Sequence, residues 1–279
     1  MFRKLSNKEN SRHTNNLYKL GYTKVNQFMS SKYKNVLLKK VNEEHKKIKI
    51  KTSDYIGAPK RSSKDLLVFN LVGKDKLFVD LVANQNLEKI IRPILNDPFY
   101  NKIPNRHPNY IISACTARSS GKKLDLHIDS RIPFKGSQPL GFLVIFVLEK
   151  MDSKNGATVL VPKSHLSGKF PNRKTKNIKT IAGEPGDLLI FDTRIWHGTT
   201  ENQTNSSRWT INAVITQWWI KQQLNISHAI PKKIFSKLTN KQKQLLGFCS
   251  IPPNSVQERI SVKCGYKFLK NYNQVNMRN

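Results

Sequence analysis

The stretch GDLLIFDTRIWHGTTENQTNSSRW (186–209) reads in three parts. LLIFD is a short apolar run behind a Gly-Asp pair, which suits a buried strand better than a helix because turn formers bound it closely. His197 and Gly198 follow, then the polar loop TTENQTNSS, and Arg208 opens a second β-type run, RWTINAVITQWW (208–219). Arg208 stands 11 positions after His197. A hairpin centred between Asn202 and Gln203 would end the first strand at His197 and set it opposite Arg208, with Thr199 opposite Ser206. Directly opposed residues of an antiparallel pair share a face, so an imidazole, a guanidinium and two hydroxyls would converge there.

Outward from this segment the β texture continues. YIISACTA, KLDLHI, GFLVIFVLEK and ATVLVP precede it, separated by Gly, Pro, Asn and Ser. With LLIFD and the run after Arg208 they make six strands without intervening helices between about 110 and 222, the signature of an antiparallel sandwich or barrel. Helical spacing brackets this core. Phe28, Val36, Leu37 and Val41 suggest a helix capped by Ser30 or Ser31, residues 76–97 read as one or two helices with Pro93 near an end, and KKIFSKLTNKQKQLLG closes the pattern. No internal repeat or linker separates these parts, so the expectation is a single domain over 1–279 with a mainly β core and helical flanks.

LDLHIDSR (124–131) places His127 and Asp129 two apart, where a strand points side chains the same way. The pair is either a hydrogen-bonded couple or two ligands awaiting a third donor, for which His197 is the leading candidate. Two histidines and one carboxylate on one face of an octahedron leave three positions open, the arrangement of non-haem Fe(II) oxygenases. Two positions can take a chelating 2-oxo acid and the third O₂. The acid's distal carboxylate suits the bidentate fork of Arg208, with Thr199 adding a hydrogen bond. His165 competes as a ligand but follows a Pro-Lys-Ser turn with no arginine at a useful step; it reads as substrate-facing or structural. Arg118 and Arg131 flank the His-x-Asp strand and could meet an anionic substrate.

Composition narrows the class. The chain carries 49 Lys and Arg against 18 Asp and Glu, a net charge of +31. Such charge favours an anionic partner or reflects a lysine- and asparagine-rich surface. The longest apolar run, LGFLVIFVL (140–148), is far short of a membrane span. The N-terminal segment has no apolar stretch of the secretory kind, and three scattered cysteines without CxxC spacing argue for a reducing compartment, hence the cytoplasm.

HID (127–129), NGATVLVPKSH (155–165) and GDLLIFDTRIWHGTTENQTNSSRW together resemble the phytanoyl-CoA dioxygenase family of Fe(II)/2-oxoglutarate oxygenases. The likeness extends to GYTKVNQFMSSKYKNVLLKKV, similar to the family's opening strand and helix, and to LTNKQKQLLGF near the end. It implies a double-stranded β-helix (jelly-roll, cupin-like) core. It also implies His127, Asp129 and His197 as iron ligands and Arg208 with Thr199 as the 2-oxoglutarate clamp. The implied reaction is hydroxylation of an aliphatic C–H of a small anionic molecule with release of succinate and CO₂. Asp129 favours hydroxylation, because related halogenases replace this carboxylate with a small residue. Lys163 departs from the family's glycine in its PGSH stretch. Three alternatives accompany this reading: a non-enzymatic jelly-roll binding protein; a nucleic-acid-modifying oxygenase of the same chemistry, whose arginine-rich signature RWTINAV does not match; and a membrane-surface or nucleic-acid-binding protein that merely inherited the fold.

Overall fold

A computed structural model describes residues 1–48, 65–99, 107–119, 121–253 and 255–257. In chain order come α1 (Asn7–Leu20), β1 (Tyr22–Val25), α2 (Ser31–Lys46), β2 (Leu66–Val68), α3 (Lys76–Val82) and α4 (Gln85–Leu95). The strands β3 (Ile111–Ser119), β4 (Leu124–His127), β5 (Gly141–Val147), β6 (Thr158–Leu160), β7 (Lys179–Ile181), β8 (Leu188–Asp192), β9 (His197–Thr199) and β10 (Trp209–Thr216) follow. Three short helices follow: α5 (Ile226–Ala229), α6 (Lys232–Phe235) and α7 (Asn240–Leu245).

The strands form two antiparallel sheets, of order β1-β8-β5-β10-β3-β2 and β4-β9-β6-β7, a double-stranded β-helix with flanking helices. β5 and β8 are buried along their whole lengths, which explains why they read as unbroken apolar runs. Both faces are covered. Phe146, paired with Leu188, meets Phe28 on one side at 6.2 Å between centroids, while Phe191 meets His197 on the other at 4.6 Å. The sheet core thus forms one wall of the site.

Two compact units make up the chain. The first, 1–69 with 116–212, holds α1, α2 and the strands around the site. α1 starts at a capping box in which Ser6 and Glu9 satisfy each other's backbone N–H groups. It stops at Gly21, whose φ of +81° supplies the left-handed cap. The second unit, 70–115 with 213–279, holds α3 to α7. There Asn84 caps α4, Pro93 sits in its last turn, and Gln222 Nε2 donates to Ile112 O at 2.6 Å and Leu246 O at 3.1 Å.

Several expectations change in detail. α2 is capped by Ser30 as read, but Phe28 precedes the helix and Val36 is exposed on it. α1 was not anticipated, because its lysine- and asparagine-rich sequence shows little apolar periodicity. All six β runs are found, joined by the unforeseen short strands β2, β7 and β9. The Lys-rich C-terminal end lies largely outside the described residues.

The largest correction concerns the segment after β8. The strand ends at Asp192, and a turn in which Arg194 N–H donates to Asp192 Oδ1 at 2.8 Å redirects the chain. His197 therefore opens a new strand in the other sheet instead of ending the first. There Thr199 lies opposite Leu124 and Thr158, not Ser206, and His197 lies opposite His127 and Leu160, not Arg208. The eleven-residue step to Arg208 is a crossing between sheets and not a hairpin. Asn202 shapes that crossing by accepting from Thr204 N–H at 2.9 Å.

Candidate metal centre and anion-binding end

β4 ends at His127, so Asp129 lies just past the strand and the expected shared strand face is not what joins them. The backbone N–H groups of Asp129 and Ser130 both donate to Thr193 O, at 2.8 and 2.9 Å. This bend swings the carboxylate toward the end of β9. Across the pairing, β9 brings His197 beside His127, and the rings lie 4.3 Å apart. Gly198 permits the approach: a Cβ there would lie 2.3 Å from Leu124 O. The glycine of His-Gly-Thr is thus fixed by interstrand distance.

The three side chains converge. Asp129 Oδ1 is 3.7 Å from His127 Nε2, and Oδ2 is 3.5 Å from His197 Nε2. One candidate ligand atom from each lies within 4.8 Å of the others. Each imidazole uses Nδ1 to donate to a carbonyl two residues back, His127 to Asp125 O at 2.9 Å and His197 to Ile195 O at 3.0 Å. That arrangement puts the ring proton on Nδ1 and leaves the Nε2 lone pair facing the centre, as metal-bound histidines require. Burial holds the His197 imidazole below the usual range; the Asp129 carboxylate opposes this, and His127 adds to it. An ion with about 2.1 Å bonds needs neighbouring donors roughly 3 Å apart, within small side-chain adjustments of the observed spacing. The donor set fits a two-histidine, one-carboxylate metal site.

Arg208, just before β10, is 3% exposed. Among the described residues its side-chain partners are neutral: Gly156 O, Asn155 O at 3.4 Å and Met151 Sδ at 3.7 Å. Burial, then the like charge of Arg118, pulls its pKa down to about 10, which leaves it a cation at neutral pH. Thr199 Oγ1 is buried and has no hydrogen-bond partner among the described residues. The Asp65 and Glu149 carboxylates oppose the pull on Arg208, but among the described residues none hydrogen-bonds the guanidinium; such a cation and an orphaned hydroxyl are costly unless an anion completes them. Thr199 follows His197 by two positions on β9, so both point the same way, roughly 7 Å apart along the strand.

The remaining candidates separate. Arg118 on β3 acts electrostatically on both His197 and Arg208. Arg131 is exposed just past Asp129, with a left-handed φ of +64°. His165 is buried away from the cluster; its Nε2 donates to Tyr18 O at 3.1 Å and its ring packs on Gly21, a structural placement. Lys163, in the place of the family's glycine, sits at φ +67°, so the position still demands a left-handed backbone. Sequence reasoning missed Thr193, whose carbonyl aims Asp129, and the buried Asp192–Arg194 ion pair at 2.7 Å. Their only signal was an Asp-x-Arg turn behind an apolar run.

Fold and site define a jelly-roll protein with a two-histidine, one-carboxylate cluster at the rim of its smaller sheet. The chain belongs to the phytanoyl-CoA dioxygenase (PhyH) family, whose model matches residues 17–210. Rv1501 of Mycobacterium tuberculosis is 28% identical over 109 residues, covering 38% of this chain and 40% of the relative. "Dioxygenase af480" of Aspergillus fumigatus is 25% identical over 190 residues, covering 66% and 59%. The matched part therefore spans less than two thirds of either relative. EctD from S. alaskensis with 2-oxoglutarate and 5-hydroxyectoine has a TM-score of 0.60 at 16% identity, covering 77% of this chain and 79% of that one. That likeness establishes the shared fold. No helix among the described residues is long and apolar enough to cross a membrane.

Proposed function

We propose that the chain is an Fe(II)- and 2-oxoglutarate-dependent dioxygenase that hydroxylates an aliphatic carbon of a small anionic molecule. What supports this reading is the His127–Asp129–His197 cluster with its preoriented rings, together with a buried Arg208 guanidinium whose hydrogen-bond partners among the described residues are all neutral. His127, Asp129 and His197 would hold the iron. Arg208 and the unsatisfied Thr199 hydroxyl would take the distal carboxylate of 2-oxoglutarate, whose five-carbon length suits the spacing along β9. The bound iron and co-substrate would supply O₂ activation, with succinate and CO₂ as co-products.

The chain's own residues do the rest. The Nδ1–H bonds to backbone carbonyls fix both imidazole orientations before any ion arrives. Phe191 and the apolar β5–β8 wall keep water from the inner side of His197. Arg208 supplies charge complementarity at a position too buried for a hydrated lysine to serve equally well. A cytoplasmic, reducing location is supported by the sequence, whose three cysteines, Cys115, Cys249 and Cys264, are scattered without CxxC spacing.

Succinate release from 2-oxoglutarate, measured with Fe(II) under air and with a panel of amphipathic carboxylates and phosphates, tests the reading. Iron-dependent succinate formation lost in Asp129→Ala supports it. A folded, iron-loaded protein that never consumes 2-oxoglutarate contradicts it and leaves a jelly-roll binding protein.

A further inference from the structure

We propose that the loops bordering the metal centre form a docking surface for an anionic lipid membrane. The proposal rests on the rim alone and stands whether or not the oxygenase reading does. Two segments build the rim: 130–140, directly after Asp129, and 163–181. They are held together and to the site. Arg194 donates to Gly136 O and lies 4.5 Å from the Phe134 ring centroid, while Trp196 Nε1 donates to Lys169 O at 2.8 Å. Gly168 packs against Lys135 so closely that a Cβ would come 2.7 Å from its Cγ. Through Thr193, Arg194 and Trp196 both segments are tied to the turn that delivers His197.

These 30 residues contain eight Lys or Arg and no Asp or Glu. Arg131, Lys135, Lys169, Arg173, Lys174 and Lys176 are all exposed. A lysine-rich composition alone could scatter cations over any surface. It does not account for the apolar side chains between them. Of the twelve large apolar residues exposed among the described residues, four lie here: Ile132 at 66%, Phe170 at 57%, Ile178 at 49% and Leu166 at 46%. Exposed apolar groups cost free energy in water, and clustered ones mark interaction surfaces. Cations interleaved with aliphatic and aromatic tips suit the interfacial layer of a bilayer: the tips enter the acyl boundary and the cations meet anionic headgroups. A nucleic-acid strand fits less well, because three of the four tips are aliphatic and offer no ring for base stacking. Docked this way, the partly exposed side of the triad, with Asp129 beside the rim, faces the lipid.

The test is cosedimentation of the purified metal-free chain with vesicles of phosphatidylcholine, alone or with about 30% phosphatidylserine, at about 0.1 M salt. The chain should bind the anionic vesicles and not the neutral ones. The double variant Phe170→Ser/Ile178→Ser should lower partitioning about tenfold with unchanged thermal unfolding. Lys174→Glu/Lys176→Glu should lower it at least as much. Lys32→Glu/Lys39→Glu, the same charge change on the exposed side of α2, should leave it within about twofold of the wild type. Equal loss from the α2 variant would reduce the effect to bulk charge and overturn the proposal. So would wild-type binding by the apolar double variant, absence of binding to anionic vesicles, or rim-dependent binding to a single-stranded oligonucleotide in place of vesicles.

Discussion

The two ends of the proposed site are built by opposite means. At the metal end, His127 and Asp129 keep about a third of their side-chain surface exposed, and their geometry comes from backbone: carbonyls that fix ring tautomers and a bend clipped by Thr193 O. At the proposed anion end, Arg208 and Thr199 Oγ1 are buried; among the described residues no carboxylate hydrogen-bonds the guanidinium, and the hydroxyl has no hydrogen-bond partner. One end is an open scaffold with its lone pairs already aimed. The other is a closed socket with unspent polarity. The contrast teaches that a binding site for two ligands can store order at one end and unsatisfied charge at the other, and that the two should fail differently when altered.

The largest expected effect separates them at once. Asp129→Ala removes the one carboxylate shared by both histidines and should lower turnover at least about a thousandfold through lost iron. Equilibrium dialysis should show the metal gone while the fold persists, because Asp129 sits in a partly exposed bend. Arg208→Ala should do the reverse. It should weaken 2-oxoglutarate about a hundredfold, a loss of about 3 kcal/mol, and leave iron affinity within a few-fold. Arg208→Lys should recover little of it, since an ammonium lacks the bidentate fork. If both substitutions lost iron and co-substrate equally, the two ends would be one unit and the contrast would collapse.

Legibility in the sequence followed the same division. The candidate ligands were readable by type, because iron chemistry demands particular side chains and His-x-Asp, His-Gly-Thr and the later arginine stood out. Their placement was less so. Spacing alone cannot distinguish a hairpin from a crossing between sheets, so the same eleven-residue step that singled out Arg208 suggested the wrong partner strand for His197. β9 has three residues and β7 three with none buried, leaving no hydrophobic alternation to find. The backbone clip at Thr193 carries no side-chain signature at all.

Two smaller effects sharpen the comparison. Gly198→Ala must push β9 away from β4, since its Cβ would fall 2.3 Å from Leu124 O. Iron affinity should drop about tenfold and stability by about 2 kcal/mol, measured by metal titration and chemical denaturation. The anion end should notice less. Lys163→Gly should act on neither end: it relieves a left-handed lysine and should raise stability by about 1 kcal/mol with unchanged 2-oxoglutarate affinity. A change in co-substrate binding there would show that the 163–166 turn reaches the socket.

The central claim, that one cage holds iron at one end and a 2-oxo acid's far carboxylate at the other, is tested most directly without oxygen. Adding Fe(II) and 2-oxoglutarate to the metal-free protein should produce the weak visible charge-transfer band of the chelate. Asp129→Ala should abolish it, and Arg208→Ala should restore it only at about a hundredfold more 2-oxoglutarate. A folded wild-type protein that binds iron yet gives no band at any 2-oxoglutarate concentration would contradict the account.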